Sequence, residues 1–376
     1  MTRKTKHIIW GAVIILLIAM LTASLYLLWT VDDSKDAHPD KASEENGEQI
    51  DGGVSFLDPE DGEEFVSSKS DWPVYIVTMT HMEGDWEMAA TNEAFFMSQV
   101  EKFRLFMDIA EEYGATLTLE SEIPFAEGAV NFGVNLMQEV LDRGHGVGTH
   151  CDIGPRDEYS DFEMIQEYLK RKEPVDALVG ADENLGCAGG GGQSNWYAGA
   201  VGAGFKYLGG VVGFHYLALP LDERPPGWTD REILAHYYHS AAPIGPEYHY
   251  PFLISELGFT EHPDGDLLIS PGSLGGLSTL GEQSELGAQD ATCKNCPLNE
   301  EDIEAAVEYI LTFAQEHDGS RPGKILFYFP TSMAVEENRE MLELFFHEME
   351  SLTDREIVEW TTQRGMYDVM MDYYQE

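Results

Sequence analysis

Basic residues are scarce in this chain of 376 residues. Lysine and arginine together number 22, against 68 aspartates and glutamates, so the formal net charge is −46. Binding to nucleic acid depends on basic patches that neutralise phosphates, so this balance excludes a nucleic-acid partner. It also argues against adsorption of the folded part on anionic lipid.

Cysteine is scarce as well, because four residues are too few for a disulfide-built scaffold of this length. The sequence has no G-x-G-x-x-G or G-x-x-x-x-G-K motif after a strand-like run, so a dinucleotide or P-loop site has no support. It also has no internal repeat. A hydrophobic fraction of 43% and an aromatic fraction of 11%, in contrast, exclude a mostly disordered chain.

One long uncharged run lies near the N-terminus, from Ile8 to Trp29. As a helix it would extend roughly 33 Å, enough to cross a bilayer. Basic residues precede it and acidic residues follow it, which predicts a cytoplasmic N-terminus and an extracellular C-terminal part. The run is longer than the apolar core of an ordinary signal peptide, about 7–15 residues, so residues 1–31 are predicted as an uncleaved anchor. The expected location is the cell membrane, with a single pass; a cleaved leader is the alternative.

The segment 32–70 is rich in Asp, Glu, Ser, Gly and Lys, which predicts an acidic, disordered linker. Residues 1–31 hold three basic and no acidic residues, so the rest of the chain has 19 basic and 68 acidic residues, a net charge of −49. Such a surface repels itself at low ionic strength. Because lysine is scarce while acid is abundant, the pattern favours a saline (halophilic) habitat over an ordinary acidic secreted protein.

From Trp72 onward, strand-like and helical runs alternate. Predicted helices include 93–113, 130–141 and a segment capped by Ser194. This alternation predicts an α/β domain over residues 71–376, with a parallel sheet covered by helices. A closed (β/α) barrel and an open doubly wound sheet both fit.

Ionisable side chains follow two predicted strands. His81 and Glu83, two residues apart after the first strand, point to the same side of an extended segment. His150 ends the third predicted strand, with glycines on both sides of that region. Because the C-terminal ends of parallel strands meet at one face, these three residues form a candidate ligand set for a catalytic divalent metal, most simply zinc. The alternative for His81 and Glu83 is a hydrogen-bonded structural pair.

These motifs resemble those of the polysaccharide deacetylases of carbohydrate esterase family four, in the glycoside hydrolase/deacetylase superfamily. The segment 80–84 is similar to the family's first motif, and 144–150 to the start of the second. Further similarities follow in family order at 194–207, 325–331 and 359–368. The resemblance covers roughly residues 72–376 and implies a deacetylase-type (β/α) barrel of seven or eight strands.

Three polar positions of the family pattern are changed. Met82 or His81 stands at the place of the catalytic base, Gly154 at that of a second metal histidine, and Phe329 at that of a late histidine. If the ligand set above binds the metal, Asp85 or Asp152 is the expected base.

The resemblance implies a membrane-anchored, extracellular, metal-dependent carbohydrate deacetylase whose partner is carbohydrate or cell-surface glycan. A zinc-dependent glycoside hydrolase of the same superfamily is one alternative. The other is a barrel without activity that binds glycan or a protein partner.

Two further features complete the sequence-based picture. Residues 214–251, rich in Tyr, Pro and His, are predicted as a long insertion over the barrel mouth, where aromatic rings would stack on sugars or simply pack. In an oxidising compartment the four cysteines are expected to pair as Cys151–Cys187 and Cys293–Cys296.

Overall fold

The computed structural model describes residues 72–83, 87–154, 158–240, 246–284, 286–288, 290–291 and 296–375. The predicted anchor, the predicted linker, Asp85 and Cys293 lie outside these ranges. Among the described residues, no helix combines the length and the apolar character that a bilayer crossing requires.

The described strands form one mixed but mostly parallel sheet. Its strands are β1 (Val74–Met82), β2 (Thr118–Ser121), β3 (Gly146–His150), β4 (Gly186–Ala188), β5 (Tyr207–Gly209), β6 (Phe252–Ile254), β7 (Leu267–Ser270), β8 (Ser273–Gly276), β9 (Gly323–Tyr328) and β10 (Val358–Trp360). They follow the order β6-β7-β5-β4-β3-β2-β1-β9-β8, and β10 pairs with β1. The β6–β7 pair is antiparallel.

The two ends of this sheet approach each other between β7 and β8. Only Pro271 and Gly272 separate these strands along the chain. The Lys324 Nζ of β9 donates to the Ser270 carbonyl at 3.1 Å, and the Leu326 amide donates to the Gly272 carbonyl at 3.3 Å. This arrangement is consistent with a deacetylase-type barrel rather than with an open doubly wound sheet.

Helices cover the outside of the sheet. They are α1 (Met88–Thr91), α2 (Glu93–Glu112), α3 (Ile123–Phe132), α4 (Leu136–Asp142), α5 (Asp161–Val179), α6 (Trp196–Gly202), α7 (Asp230–Glu232), α8 (Glu300–Glu316), α9 (Arg339–Asp354) and α10 (Gln363–Tyr373). The largest core cluster packs aromatic side chains of α2 and α9 against the strands, including the fully buried Phe96, Phe103, Phe106 and Phe345.

Two sequence-based predictions about helices were wrong. The helix predicted over 130–141 is two helices, because Gly133 adopts a left-handed conformation that ends α3 and Asn135 caps α4 through the Gln138 amide. The cap of α6 is Asn195, whose side chain accepts from the Ala198 amide. The hydroxyl of Ser194 accepts instead from the Tyr159 amide at 2.8 Å.

A tight contact inside the barrel makes Gly186 of β4 hard to replace. A Cβ at this position would lie 2.0 Å from Cε2 of the fully buried Tyr207. We therefore expect Gly186→Ala to lower the free energy of unfolding by about 1–3 kcal/mol, since a packed core accommodates an added methyl only through strain. Denaturant unfolding measures this change. Gly276→Ala is the matched control, because its nearest neighbour would lie at 3.5 Å; equal effects of the two variants would contradict the argument.

Candidate active site

Strand register brings the candidate site together. β1 and β2 pair so that His81 lies beside Glu120, and β2 and β3 pair so that Glu120 lies beside Gly148. The glycine leaves room for the glutamate, because a Cβ on Gly148 would lie 3.2 Å from the Glu120 Cγ. As a result the C-terminal ends of three adjacent parallel strands direct their polar side chains into one volume.

The structure brings together the three residues that were predicted as metal ligands. The His81 and His150 rings stack with their centroids 3.9 Å apart. Glu83 contacts both rings, with Oε1 at 3.9 Å from His81 Nδ1 and Oε2 at 3.3 Å from His150 Nε2. The ligand atoms nevertheless place His81 and Glu83 in two separate groups, which share His150.

Two glutamates of the site were missed by the sequence analysis. Glu120 Oε2 lies 2.9 Å from His81 Nε2, and Glu122 Oε1 lies 3.8 Å from His150 Nε2. Both carboxylates are buried. The signal was present in the sequence, because Glu-Ser-Glu directly follows the strand-like residues 115–119, just as His81 and His150 stand at the ends of strand-like runs.

Tyr328 was also missed. Its hydroxyl donates to Glu83 Oε1 at 3.0 Å, and its ring lies 5.0 Å from that of His81. The neighbouring Phe329, which stands at the place of the family's late histidine, is fully buried and packs on Phe106 and Phe345 in the outer core. It is therefore Tyr328 that β9 contributes to the site.

The other predicted residues have different placements. Asp152 is half-buried and lines the cavity above the site, while its carbonyl accepts from Arg171 Nη2 at 3.0 Å. Asp85, the other predicted base, lies outside the described residues. His145 sits at the opposite end of β3, where Nδ1 accepts from the Leu117 amide at 3.1 Å.

The surroundings shift the pKa values of Glu122 and Glu83 in opposite directions. Burial raises the pKa of Glu122 to about 8, and the charges of Asp152 and Glu83 add to this effect. Burial also acts to raise the pKa of Glu83, but the hydrogen bond from His150 and the charge of His81 outweigh it and hold the pKa at about 2.

The pKa values of the two imidazoles, His150 and His81, also shift in opposite directions. Burial and the neighbouring His81 lower the pKa of His150. Burial alone would lower the pKa of His81 too, but its contact with Glu120 raises it. Of the two rings, His81 is therefore the one whose protonated form is favoured.

A divalent cation fits this donor set. In two groups, His81–Glu120–His150 and Glu83–Glu122–His150, one ligand atom from each residue lies within 4.8 Å of the others. His81 Nε2 and Glu120 Oε2 face each other at 2.9 Å, whereas His150 Nδ1, Glu122 Oε1 and Glu120 Oε1 are buried without a hydrogen-bond partner. Because buried polar atoms are rarely left unpaired, this cluster is a candidate metal site.

A cavity of about 640 Å³ opens above these residues. The segment predicted as an insertion over the mouth lines one side of it with Phe214, Tyr238 and His239. Phe214 and Tyr238 stack at 5.0 Å, and the buried His215 stacks on the other side of Phe214 at 4.4 Å. Among the described lining residues none is Lys or Arg.

A disulfide fastens the end of β3. The Cys151–Cys187 pairing is confirmed, with the two Cα atoms 6.0 Å apart. It joins the residue after His150 to β4, and the Cys151 amide also donates to the Ala188 carbonyl at 2.7 Å. His150 is therefore held on a cross-linked strand end. The second predicted pair falls on Cys293, outside the described residues.

No protein-family model and no curated protein matches the chain in sequence. Solved structures do match it in fold. A protein of Mycobacterium smegmatis, assigned as a polysaccharide deacetylase, superposes with a TM-score of 0.51 at 12% identity, over 81% of this chain and 92% of its own. A Pseudomonas aeruginosa protein with the same assignment gives 0.50 at 10% identity, over 81% and 91%.

A protein of Parabacteroides distasonis, assigned as a glycoside hydrolase/deacetylase, gives a TM-score of 0.51 at 12% identity, over 79% of this chain and 71% of its own. At these identities the matches establish the fold alone, and the chemistry depends on the residues of the site. The described domain therefore has the polysaccharide deacetylase-like fold that its motifs predict.

Proposed function

We propose that this protein is a metal-dependent hydrolase that removes acetyl groups from carbohydrate. The observation that carries the proposal is the convergence of His81, Glu83, Glu120, Glu122 and His150 at the C-terminal ends of adjacent strands. Three of them, His81, Glu83 and His150, line an open cavity. Catalytic groups of parallel barrels lie at this face. The similarity of the fold to proteins assigned as polysaccharide deacetylases supports the reaction class.

His150 would hold the cation together with one of two pairs, either His81 and Glu120 or Glu83 and Glu122. Two imidazoles with carboxylates suit zinc and similar divalent ions. When bound, such an ion polarises an acyl carbonyl and lowers the pKa of water.

Other side chains would orient the reactants. Asp152 is the described candidate for the general base, since it lines the cavity within the same cluster of carboxylates. Tyr328 fixes the orientation of Glu83 through its hydroxyl. The stacked Phe214 and Tyr238 offer a flat apolar wall, which suits the C–H face of a sugar ring.

The test is a metal and activity assay on the full 376-residue chain. Purified protein should carry about one divalent ion per chain by mass spectrometry. It should release acetate from acetylated chitin or xylan oligosaccharides, and a chelator should stop the release. Asp85→Asn and Asp152→Asn should separate the two candidate bases, because the true base loses activity but keeps the metal. A chain without any divalent ion would overturn the proposal and favour a glycan-binding module.

We also propose that the domain is displayed outside the cell on an N-terminal anchor. The uncharged run at residues 8–29 and its flanking charges support this topology. The Cys151–Cys187 bond supports an oxidising compartment, because disulfides are rare in the cytosol.

The acidic surface leads to a prediction about salt. Raising NaCl from about 0.1 M to about 1 M shortens the Debye length from about 10 Å to about 3 Å, which screens the repulsion among carboxylates. The Tm of the full chain should therefore rise over this range. Differential scanning calorimetry at matched ionic strengths of NaCl and Na₂SO₄ separates screening from anion-specific effects. A flat or falling Tm in NaCl would contradict the saline habitat.

A further inference from the structure

A second cavity lies outside the barrel and apart from the candidate active site. Its volume is about 380 Å³, within the range of small-molecule sites. The residues that line it are Val211, Tyr216, Tyr248, Tyr250, Phe252, Phe259, Glu261, Ile269, Pro271 and Arg321. None of them lines the mouth cavity, so the two cavities are distinct.

The topology explains why this cavity exists. A regular barrel would place a helix between β7 and β8, but here two residues connect them. Instead, Ile269 of β7 belongs to a core cluster against which Phe252 of β6 and Phe259 pack. The same backbone separates the two cavities, because Gly210 and Val212 line the mouth whereas Val211 lines the second cavity.

The walls of the second cavity are aromatic and fixed in position. Phe259 stacks on the buried Trp196 with ring centroids 5.7 Å apart and packs on Tyr216 at 4.6 Å. The Tyr216 and Tyr248 hydroxyls hydrogen-bond to each other. Such preformed walls lower the entropic cost of binding a rigid ligand.

The charged groups at the rim neutralise each other. Arg321 pairs with Glu261 at 3.2 Å, donates to the Pro251 carbonyl at 2.7 Å, and lies over the Tyr250 ring. The Tyr374 hydroxyl donates to the same glutamate. Because the two formal charges among the described lining residues form this pair, the cavity favours a ligand without net charge.

One polar atom of this rim lacks a partner. Arg321 Nε is buried and has no hydrogen-bond partner, although the other nitrogens of the guanidinium are engaged. A neutral oxygen of a ligand would satisfy it.

We propose that this cavity is a second binding site that takes a neutral sugar ring of an oligosaccharide. A pyranose combines apolar C–H faces, which match Phe259 and Tyr250, with hydroxyl edges, which match Arg321 and the tyrosine hydroxyls. A ring held here would anchor glycan to the domain without occupying the mouth. The site does not depend on the proposed hydrolase activity, because none of its residues belongs to the candidate metal centre.

The test is calorimetric titration of the full chain with two probes, the neutral hexasaccharides of β-1,4-linked glucose and of β-1,4-linked N-acetylglucosamine. At least one should bind, and both Phe259→Ala and Tyr250→Ala should weaken that binding at least about ten-fold, in line with loss of a central aromatic contact. His150→Ala should leave the part of the binding that depends on Phe259 and Tyr250 unchanged, so failure of the metal proposal would not affect the result. Phe162→Ala is the matched aromatic control, since Phe162 is 71% exposed and lines neither cavity.

Two results would overturn the proposal. The first is absence of binding by both hexasaccharides; binding of indole in that case would assign the cavity to an aromatic ligand. The second is binding that only Tyr238→Ala at the mouth weakens. If Phe259→Ala fails to fold, wild-type crystals soaked with the hexasaccharide decide the matter: density against Phe259 supports the site, and density confined to the mouth contradicts it.

Discussion

Replacing His150 with alanine is expected to remove the bound divalent ion and the acetate-releasing activity together. His150 belongs to both candidate ligand groups, so no complete group survives its loss. Substitution of a residue that merely supports a ligand costs about 10–100-fold in metal affinity, so loss of a direct ligand should cost at least about 100-fold. Competition with a fluorescent chelator measures the affinity, and elemental mass spectrometry measures the stoichiometry.

His145→Ala is the matched control for this variant. It also lies next to β3, but at the opposite end of the strand, where its ring bonds to the Leu117 amide and to Glu111. It should keep the metal while losing some stability. Undiminished metal content in His150→Ala would contradict the site.

Two further variants decide which ligand group operates. If His81 and Glu120 complete the site, Glu120→Gln should lose the ion whereas Glu122→Gln should keep it. The opposite result would assign Glu83 and Glu122. The two groups differ in accessibility, since Glu83 is exposed at the mouth whereas Glu120 is fully buried.

Part of this site followed from the sequence because strand ends are recognisable. Polar groups follow apolar residues at two places, at His81 and at the glycine-flanked His150. Parallel topology brings such strand ends together at one face. The family pattern has a histidine where Gly154 stands, and the structure supplies carboxylates at the same face from β2 instead. Glu120 and Glu122 were missed because β2, unlike β1 and β3, does not end in one of the family's motifs.

Other features depend on tertiary structure and gave no sequence signal. Strands β4, β6 and β8 are three or four residues long, and β4 and β8 contain glycine, so neither periodicity nor propensity marks them. Which of Tyr328 and Phe329 faces the site depends on the register of β9, since a shift of one residue exchanges the two faces of a strand. The second cavity likewise arises from the two-residue connection of β7 to β8.

The buried His249 should make the fold sensitive to acid. Its Nδ1 donates to the Lys324 carbonyl at 2.9 Å, and its Nε2 lies 2.6 Å from the Tyr309 hydroxyl, which donates to the neutral ring and would have to accept from a protonated one. Burial lowers its pKa to about 4, and the charge of Lys324 acts in the same direction. Because the ring has a pKa of about 6.5 in the unfolded chain, its contribution to stability is complete above pH 6.5 and is lost as the pH falls toward 4.

The expected loss is about 3 kcal/mol between pH 6.5 and pH 4, because each unit of pKa difference corresponds to about 1.4 kcal/mol. Other ionisable groups also change their protonation over this pH range, so the prediction concerns a difference between variants. His249→Asn keeps a donor toward the Lys324 carbonyl but cannot be protonated, and its free energy of unfolding should fall about 3 kcal/mol less than that of the wild type. His236→Asn is the control, since this side chain is 66% exposed and should leave the slope of the wild type unchanged. Urea unfolding at a series of pH values measures all three chains, and parallel slopes for wild type and His249→Asn would mean that the protonated ring is accommodated in the folded state.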